Sequence, residues 1–184
     1  MPLAVPAADS QRGPSWTTQS MIGGKNRQFG LGGVVPSSQA WPTANTAILV
    51  PFTVAFPVTF AEIFFQAGTT PGTTAYDLGV YNESFKLLAS LGATNAVSTT
   101  DAVLPVGGGA LASPLTLVRG RYYIAMSSAA TTLTVRGLAT TNGVTRGFGC
   151  VSMASAHPLP ATVTPAAAVA LLPTIGLTTI NNLL

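Results

Sequence analysis

The sequence predicts an all-β protein whose central part forms an antiparallel β-sandwich, jelly-roll-like in type, with extended N- and C-terminal arms. Two observations favour this fold class. Short segments rich in β-branched and aromatic residues recur between positions 41 and 156, and Gly, Pro, Asn and Ser residues separate them at regular spacing. No helical hydrophobic period persists between these segments. Regularly spaced short strands are typical of sandwiches and jelly rolls.

The predicted strands follow one another through residues 41–156. They cover residues 47–54, 58–66, 75–81, 85–91, 102–106, 115–118, 121–127, 131–138 and 147–153. Pro51 predicts an edge position or a bulge in the first of them, because proline cannot donate to a sheet ladder. The turn residues Asn82-Glu83-Ser84 predict a hairpin between the third and fourth segments, and 121–127 and 131–138 predict a second hairpin.

Strict alternation along 58–66 places Phe60 and Phe64 on one face and Ile63 and Phe65 on the other. Because both faces are largely apolar, this segment is expected to have a covered outer side. The predicted sandwich core takes one residue of each of three pairs: Phe60 or Phe64, Leu78 or Val80, and Tyr122 or Tyr123.

The segments on either side of this domain, 1–40 and 157–184, read as extended arms. Proline and glycine interrupt both of them, and neither carries a sustained hydrophobic period. The alanine-rich residues 166–172 are compatible with about two helical turns. Apolar side chains in such segments predict docking on other chains. The interface candidates are Trp16, Phe29, Leu171, Ile175 and Leu183.

The chain is poor in charge: 7% of its residues are charged and 47% are hydrophobic. Soluble domains carry about 25% charged residues, so we expect copies of the chain or partner proteins to cover much of this surface. The eight basic residues form no run, which argues against specific nucleic-acid binding. No stretch is apolar enough to span a membrane, and the N-terminus lacks the pattern of a signal peptide.

Few residues are candidates for catalysis. His157 is the single histidine, and we expect it to be structural. Cys150 is the single cysteine, so an intrachain disulfide is impossible, and its place on a predicted strand indicates a buried thiol. Glu62 and Asp77 lie on consecutive predicted strands, which leaves open a carboxylate pair of the kind that glycoside hydrolysis needs. We expect instead one solvated acid and one paired acid.

For two further patterns we favour a structural interpretation over a ligand-binding one. The glycines at 107–109 lack the Lys-Ser/Thr of a phosphate-binding loop, so a flexible connector is expected there. Tyr76, Tyr81, Tyr122 and Tyr123 would suit a sugar-binding face, but an outward tyrosine is more often an interface residue. The sequence therefore predicts a protein without enzymatic activity, cofactor or metal.

The middle of the chain, about residues 41–160, resembles a β-sandwich module of tailed-bacteriophage virion proteins. The similar pieces are an opening strand, an Asp-x-Gly-x-Tyr strand, a Gly-Arg-Tyr-Tyr strand and the Pro-Leu-Pro-Ala that follows, at 47–52 with 58–63, 76–81, 117–125 and 158–161. No catalytic residue is carried over by this resemblance.

The resemblance implies a non-enzymatic structural role in a phage virion. A capsid decoration or cement protein would form homo-oligomers, with a trimer expected, and would bind virion proteins such as the major capsid protein. Such a protein is made in the host cytoplasm and ends in the virion. The alternatives are a fibre or receptor-binding module that recognises surface glycans, and, less favoured, a glycan-active enzyme.

Overall fold

The computed structural model describes residues 18–22, 25–29, 37–69, 74–95, 107–139, 145, 149–154, 156–166 and 170–179. Fourteen strands lie in these ranges, and all of their pairings are antiparallel. The strands are β1 (Thr18–Ile22), β2 (Lys25–Phe29), β3 (Ser37–Ala40), β4 (Thr46–Val54), β5 (Val58–Phe65), β6 (Ala75–Asn82), β7 (Leu87–Ser90), β8 (Thr94–Asn95), β9 (Gly107–Leu117), β10 (Gly120–Ser128), β11 (Thr134–Ala139), β12 (Val151–Met153), β13 (Leu171–Pro173) and β14 (Ile175–Thr179).

The strands form three sheets. One has the order β1-β2-β14-β5-β9, a second has the order β12-β4-β10-β6-β7 with β8 also paired to β6, and a third has the order β13-β11-β3. The first two sheets enclose the main apolar core, to which β4, β6 and β10 contribute from one side and β5, β9 and β14 from the other. The predicted all-β antiparallel class is confirmed, and this two-layer packing is consistent with a β-sandwich. Within the described ranges the sheets do not by themselves define a jelly roll.

Each of the three residue pairs proposed for the core places at least one side chain there. Phe60, Tyr122 and both Leu78 and Val80 lie in the main core. Tyr123 faces the opposite side of its sheet and joins a second apolar cluster. Adjacent residues of a strand point to opposite faces, so this division of the two tyrosines is the expected one.

The alternation predicted for residues 58–66 is wrong beyond Phe60. The pairing of β5 with β14 shifts between Phe60 and Glu62, where one extra residue enters β5. Such a bulge reverses which face the following residues occupy. Ile63 and Phe65 therefore share the core with Phe60 instead of facing away from it.

The first predicted hairpin is present, and the second is not. β6 and β7 pair, and the turn between them is closed by a hydrogen bond from Phe85 N to Asn82 O (3.0 Å). β10 instead pairs with β4 along one side and β6 along the other. Since both edges of β10 are occupied, β11 has no place beside it and pairs with β3 and β13.

Pro51 lies in β4 beyond the three residues that pair with β12, on a part of the strand that β12 does not reach. β10 pairs along the other side of β4 and is opposite Pro51 at Tyr123. This part of β4 is at the sheet edge with respect to the described strands, which agrees with the prediction of an edge position.

The expected C-terminal arm, 157–184, needs correction over residues 171–179. β13 and β14 belong to the sheets of the same chain, and Leu171 and Ile175 are buried in its main core. Neither residue is available as an interface residue on the folded chain. Leu171 and Leu172 are in β13, so the predicted helical turns do not extend to them. The domain thus continues past residue 156.

The expected N-terminal arm, 1–40, contains three strands in its described part. β1 and β2 form a hairpin, which joins the five-stranded sheet where Arg27 of β2 pairs with Thr178 of β14. β3 pairs with β11 in the three-stranded sheet. Phe29 is the last residue of β2. Trp16 and Leu183, the two remaining interface candidates, lie outside the described residues.

Candidate functional site

A segment without regular structure covers the outer face of the six-stranded sheet. This cover segment, residues 156–163, contributes Ala156, Leu159 and Val163 to a second apolar cluster. The sheet side of the cluster comes from the outward residues of β4, β6 and β10: Ala47, Leu49, Tyr81, Tyr123 and Ala125. Both faces of the middle strands of this sheet are therefore buried.

Hydrogen bonds fix the cover segment along its length. The Tyr81 hydroxyl donates to the Pro160 carbonyl at 2.7 Å. Leu87 N donates to Ala161 O at 2.8 Å, and Val163 N donates to Phe85 O at 3.0 Å. The cover segment thus makes backbone hydrogen bonds beside β7, and it is also bonded to the side chain of Tyr81 in β6.

Asp77 lies under the cover segment and is 1% exposed. Its carboxylate accepts two contacts from Ser90 Oγ, at 2.9 and 3.0 Å, and one from Leu159 N at 3.0 Å. A buried carboxylate needs such donors because its desolvation is otherwise costly. Asp77 therefore joins β6, β7 and the cover segment, which is the paired role expected for one of the two acids.

His157 and Ser127 lie in the same region. Nδ1 of His157 is 3.1 Å from Ser127 Oγ, and Ser127 is opposite Asp77 in the β6–β10 ladder. Burial lowers the pKa of His157, and the negative charge of Asp77 partly offsets this effect. A serine, a histidine and an aspartate thus come close together.

This constellation does not have the geometry of a nucleophilic triad. A triad needs an accessible serine and a carboxylate that orients the imidazole. Ser127 is 0% exposed, and the Asp77 carboxylate accepts from Ser90 and Leu159. The arrangement instead fixes the cover segment to the sheet. Sequence reasoning missed Ser127, Ser90 and Leu159, because their partners lie far away in the chain.

The four tyrosines do not form a sugar-binding face, since all of them are buried. Three hydroxyls have intrachain partners: Tyr76 accepts from Gly108 N (3.1 Å), Tyr122 donates to Val118 O (3.1 Å), and Tyr81 donates to the cover segment. Burial, with a smaller contribution from Asp77, raises the pKa of Tyr81 above its usual range. Tyr123 points outward but is covered by the ring of Phe85, with centroids 4.9 Å apart.

Glu62 and Asp77 are not brought together. Glu62 is in β5 of the five-stranded sheet, whereas Asp77 is in β6 of the six-stranded sheet and faces its outer side. The main core lies between the two sheets. The carboxylate pair that the sequence left open is therefore absent for these two residues.

Cys150 is buried, and burial raises the pKa of its thiol to about 12. A thiol of this kind is almost entirely protonated at neutral pH, and the thiolate is the reactive form. The predicted buried thiol is thus what the structure has.

The glycines at 107–109 open strand β9 and are not a loose connector. Gly108 has a φ of 115°, and a Cβ placed there would collide with the backbone of Ile63 on β5. The absent side chain lets the two strands approach closely.

The charged side chains that are exposed, rather than half-buried, lie in one region of the described surface. The exposed charged side chains are Glu83, Lys86, Arg119 and Arg121. Glu83, Lys86 and Arg119 lie in connections and Arg121 is the second residue of β10, and the strand pairings bring all four positions to one end of the six-stranded sheet. Two of the three large apolar side chains that are exposed, Phe56 and Val118, lie at this same end.

Comparisons with known proteins add no family. No protein-family model matches the chain, and a search of curated protein sequences gives no significant match. In the ranges that the structure describes, no helix is long and apolar enough to cross a membrane. Within those same ranges, no three or more His, Cys, Asp and Glu side chains are grouped so that they could hold a metal ion.

Proposed function

We propose that this protein is a non-enzymatic structural subunit of a phage virion, in the first place a capsid decoration or cement protein. It would form homo-oligomers, with a trimer as the expected state, and bind neighbouring capsid subunits. The observation that carries this proposal is that the chain's potentially reactive groups are engaged in hydrogen bonds within the chain. Asp77 and Tyr81 are hydrogen-bonded to the cover segment, and Ser127 contacts His157 within it.

The composition supports the same proposal. Only 7% of the residues are charged, and the described exposed charges lie at one end. Exposed hydroxyl pairs such as Thr59–Thr116 (2.9 Å) and Thr74–Thr132 (2.6 Å) also contribute uncharged polar groups to the described surface. Surfaces of low charge favour association over dispersal. The resemblance of residues 41–160 to virion sandwich modules is the reason for proposing a phage virion as the assembly.

The main sequence argument for the glycan-binding alternative does not hold in the structure. It depended on outward tyrosines, and the four tyrosines named for it are buried. We therefore put the assembly function first and give the glycan-binding module no separate site.

Two measurements test the proposal. The purified chain should sediment as a homo-oligomer at equilibrium, with a mass near three times the 18.7 kDa of one chain. An antiserum against the chain should label tailed-phage particles released from the host that carries this sequence, and the chain should co-sediment with their heads. A chain that stays monomeric and remains in the particle-free supernatant contradicts the proposal.

A further inference from the structure

Three connections meet at one end of the sandwich. The register pairs Val54 with Gly120 and Val58 with Leu117, so the turns 55–57 and 118–119 lie side by side. The pairing of Asn82 with Tyr122 brings the β6–β7 turn, 83–86, to the same end. Residues that are far apart in the sequence thus form one continuous surface.

This surface is cationic and partly apolar. We call it the basic end and define it by its exposed side chains Phe56, Lys86, Arg119, Arg121 and Val118. Glu83 is the one described exposed acid, and it lies here too. Phe56 is 40% exposed and Val118 is 60% exposed, and they lie in adjacent turns, so their apolar surfaces are close together.

The basic end is held in place before any partner binds. The Tyr122 hydroxyl donates to Val118 O at 3.1 Å and fixes the 118–119 turn. The guanidinium of Arg121 lies over the ring of Tyr123, 5.4 Å from its centroid. Lys86 N donates to Asn82 Oδ1 at 2.9 Å, which fixes the third turn. A surface that is already ordered loses less entropy on binding.

We propose that the basic end is a docking surface for an acidic protein surface that also offers an apolar contact. This inference rests on the proposed assembly function and names the chemistry of the partner. Carboxylates match Arg119 and Arg121, which can pair with them in bidentate geometry. Phe56 and Val118 bury apolar area at the centre of the contact.

The same end of a second copy does not fit this description. Two basic ends would bring like charges together, which opposes association. A nucleic-acid backbone would match the cations but would leave the aliphatic Val118 without a contact. An anionic membrane presents negative charge uniformly, so it would also face Glu83 and repel it. A folded protein can place carboxylates opposite the cations, an apolar group opposite Phe56 and Val118, and a neutral or basic group opposite Glu83.

The test uses the full chain and defined probes. A random copolymer of glutamate and tyrosine offers carboxylates with aromatic rings, and polyglutamate offers carboxylates alone. The chain should bind the copolymer more tightly than polyglutamate, and added salt should weaken both interactions. The double variant Arg119→Gln/Arg121→Gln should lose about tenfold in affinity for both polymers, as expected for two exposed ion pairs.

The double variant Phe56→Ser/Val118→Ser should abolish the preference for the copolymer while it leaves polyglutamate binding intact. Lys25→Gln/Arg27→Gln is the charge-matched control, because both residues lie in β2 and outside the basic end. Its affinity should stay within about twofold of the parent. Circular dichroism of each variant establishes that the fold is retained.

Three results overturn the inference: no binding of the copolymer, an equal loss in the Lys25/Arg27 control, or tighter binding of a DNA duplex or of phosphatidylglycerol vesicles. The two proposals fail in different ways. A chain that forms the oligomer and joins particles but fails these binding tests overturns the docking surface alone. A chain that binds the copolymer through the basic end but stays monomeric and free of particles overturns the assembly function.

Discussion

Replacing Asp77 with alanine should release the cover segment from the sheet. The change removes the acceptor of Leu159 N, which lies at a buried position. An orphaned buried donor costs about 1–3 kcal/mol. Ser90 also loses its partner, but it is half-buried and can regain water, so it adds less than about 1 kcal/mol. We expect a total loss of about 2–3 kcal/mol in the free energy of unfolding.

Two further variants separate the contributions. Asp77→Asn keeps one carbonyl acceptor for Leu159 and should cost about 1 kcal/mol. Ser90→Ala removes only the hydroxyl, which also accepts from Gly92 N at 2.8 Å, and should cost about as much as Asp77→Asn.

Urea unfolding, followed by tryptophan fluorescence to which the buried Trp41 contributes, gives the free energies. Hydrogen exchange of residues 156–163 gives the location of the effect, and these amides should exchange fastest in Asp77→Ala. If this variant matched the parent in both measurements, Asp77 would not hold the cover segment.

Three other predictions concern single side chains. Because burial raises the pKa of Cys150 to about 12, an aromatic disulfide reagent should modify it slowly in the folded chain and quickly in denaturant, and equal rates would contradict its burial. Because burial lowers the pKa of His157 below its usual value of about 6.5, the unfolded chain binds more protons as the pH falls through that value. Folded stability should therefore decline with falling pH in this window, and His157→Gln should flatten the decline; an unchanged slope would mean that other groups cause it. Gly108→Ala should lower the free energy of unfolding by more than about 1 kcal/mol, because φ is positive and the new methyl meets the backbone of Ile63. Gly109→Ala, whose Cβ would be 4.0 Å from the nearest atoms of Leu91, should melt close to the parent, and similar losses in both variants would argue against the close approach at Gly108.

Strands with strong local signals could be predicted from the sequence. The segments predicted at 47–54, 75–81 and 121–127 correspond closely to β4, β6 and β10. These strands form the middle of the six-stranded sheet, where β-branched and aromatic residues are favoured. Their composition alone was enough to locate them.

Two other properties could not be predicted from local composition: which strands pair with each other, and which face of the sheet each side chain occupies. A bulge in β5 adds one residue against β14, and strict alternation carries no sign of it. β11 follows β10 after a short connection, as a hairpin strand would, but β10 is already paired on both sides. Which strands occupy an edge is a property of the whole sheet, and no local pattern records it.

The cover segment was missed for a different reason. Its prolines and the absence of a period made residues 157–163 resemble the start of an arm. The bonds that fix it join residues far apart in the chain: Asp77 with Leu159, and Tyr81 with Pro160. A charged residue within an otherwise apolar predicted strand was the one available signal. Asp77 is that residue, and it is needed because the outer face of its strand is buried.

The fold reduces the amount of apolar surface that the low charge of the chain led us to expect at contacts with partners. The sequence suggested that apolar arms would lie on neighbouring subunits. The chain itself buries part of this apolar surface. Strands β13 and β14 contribute to its own core, and the cover segment buries the outer face of the six-stranded sheet. Among the described side chains, the large apolar ones left exposed are Phe56, Leu88 and Val118. Contacts with partners through the described surface are therefore expected to concentrate where two of these three residues lie beside the exposed cations, and not along the C-terminal strands.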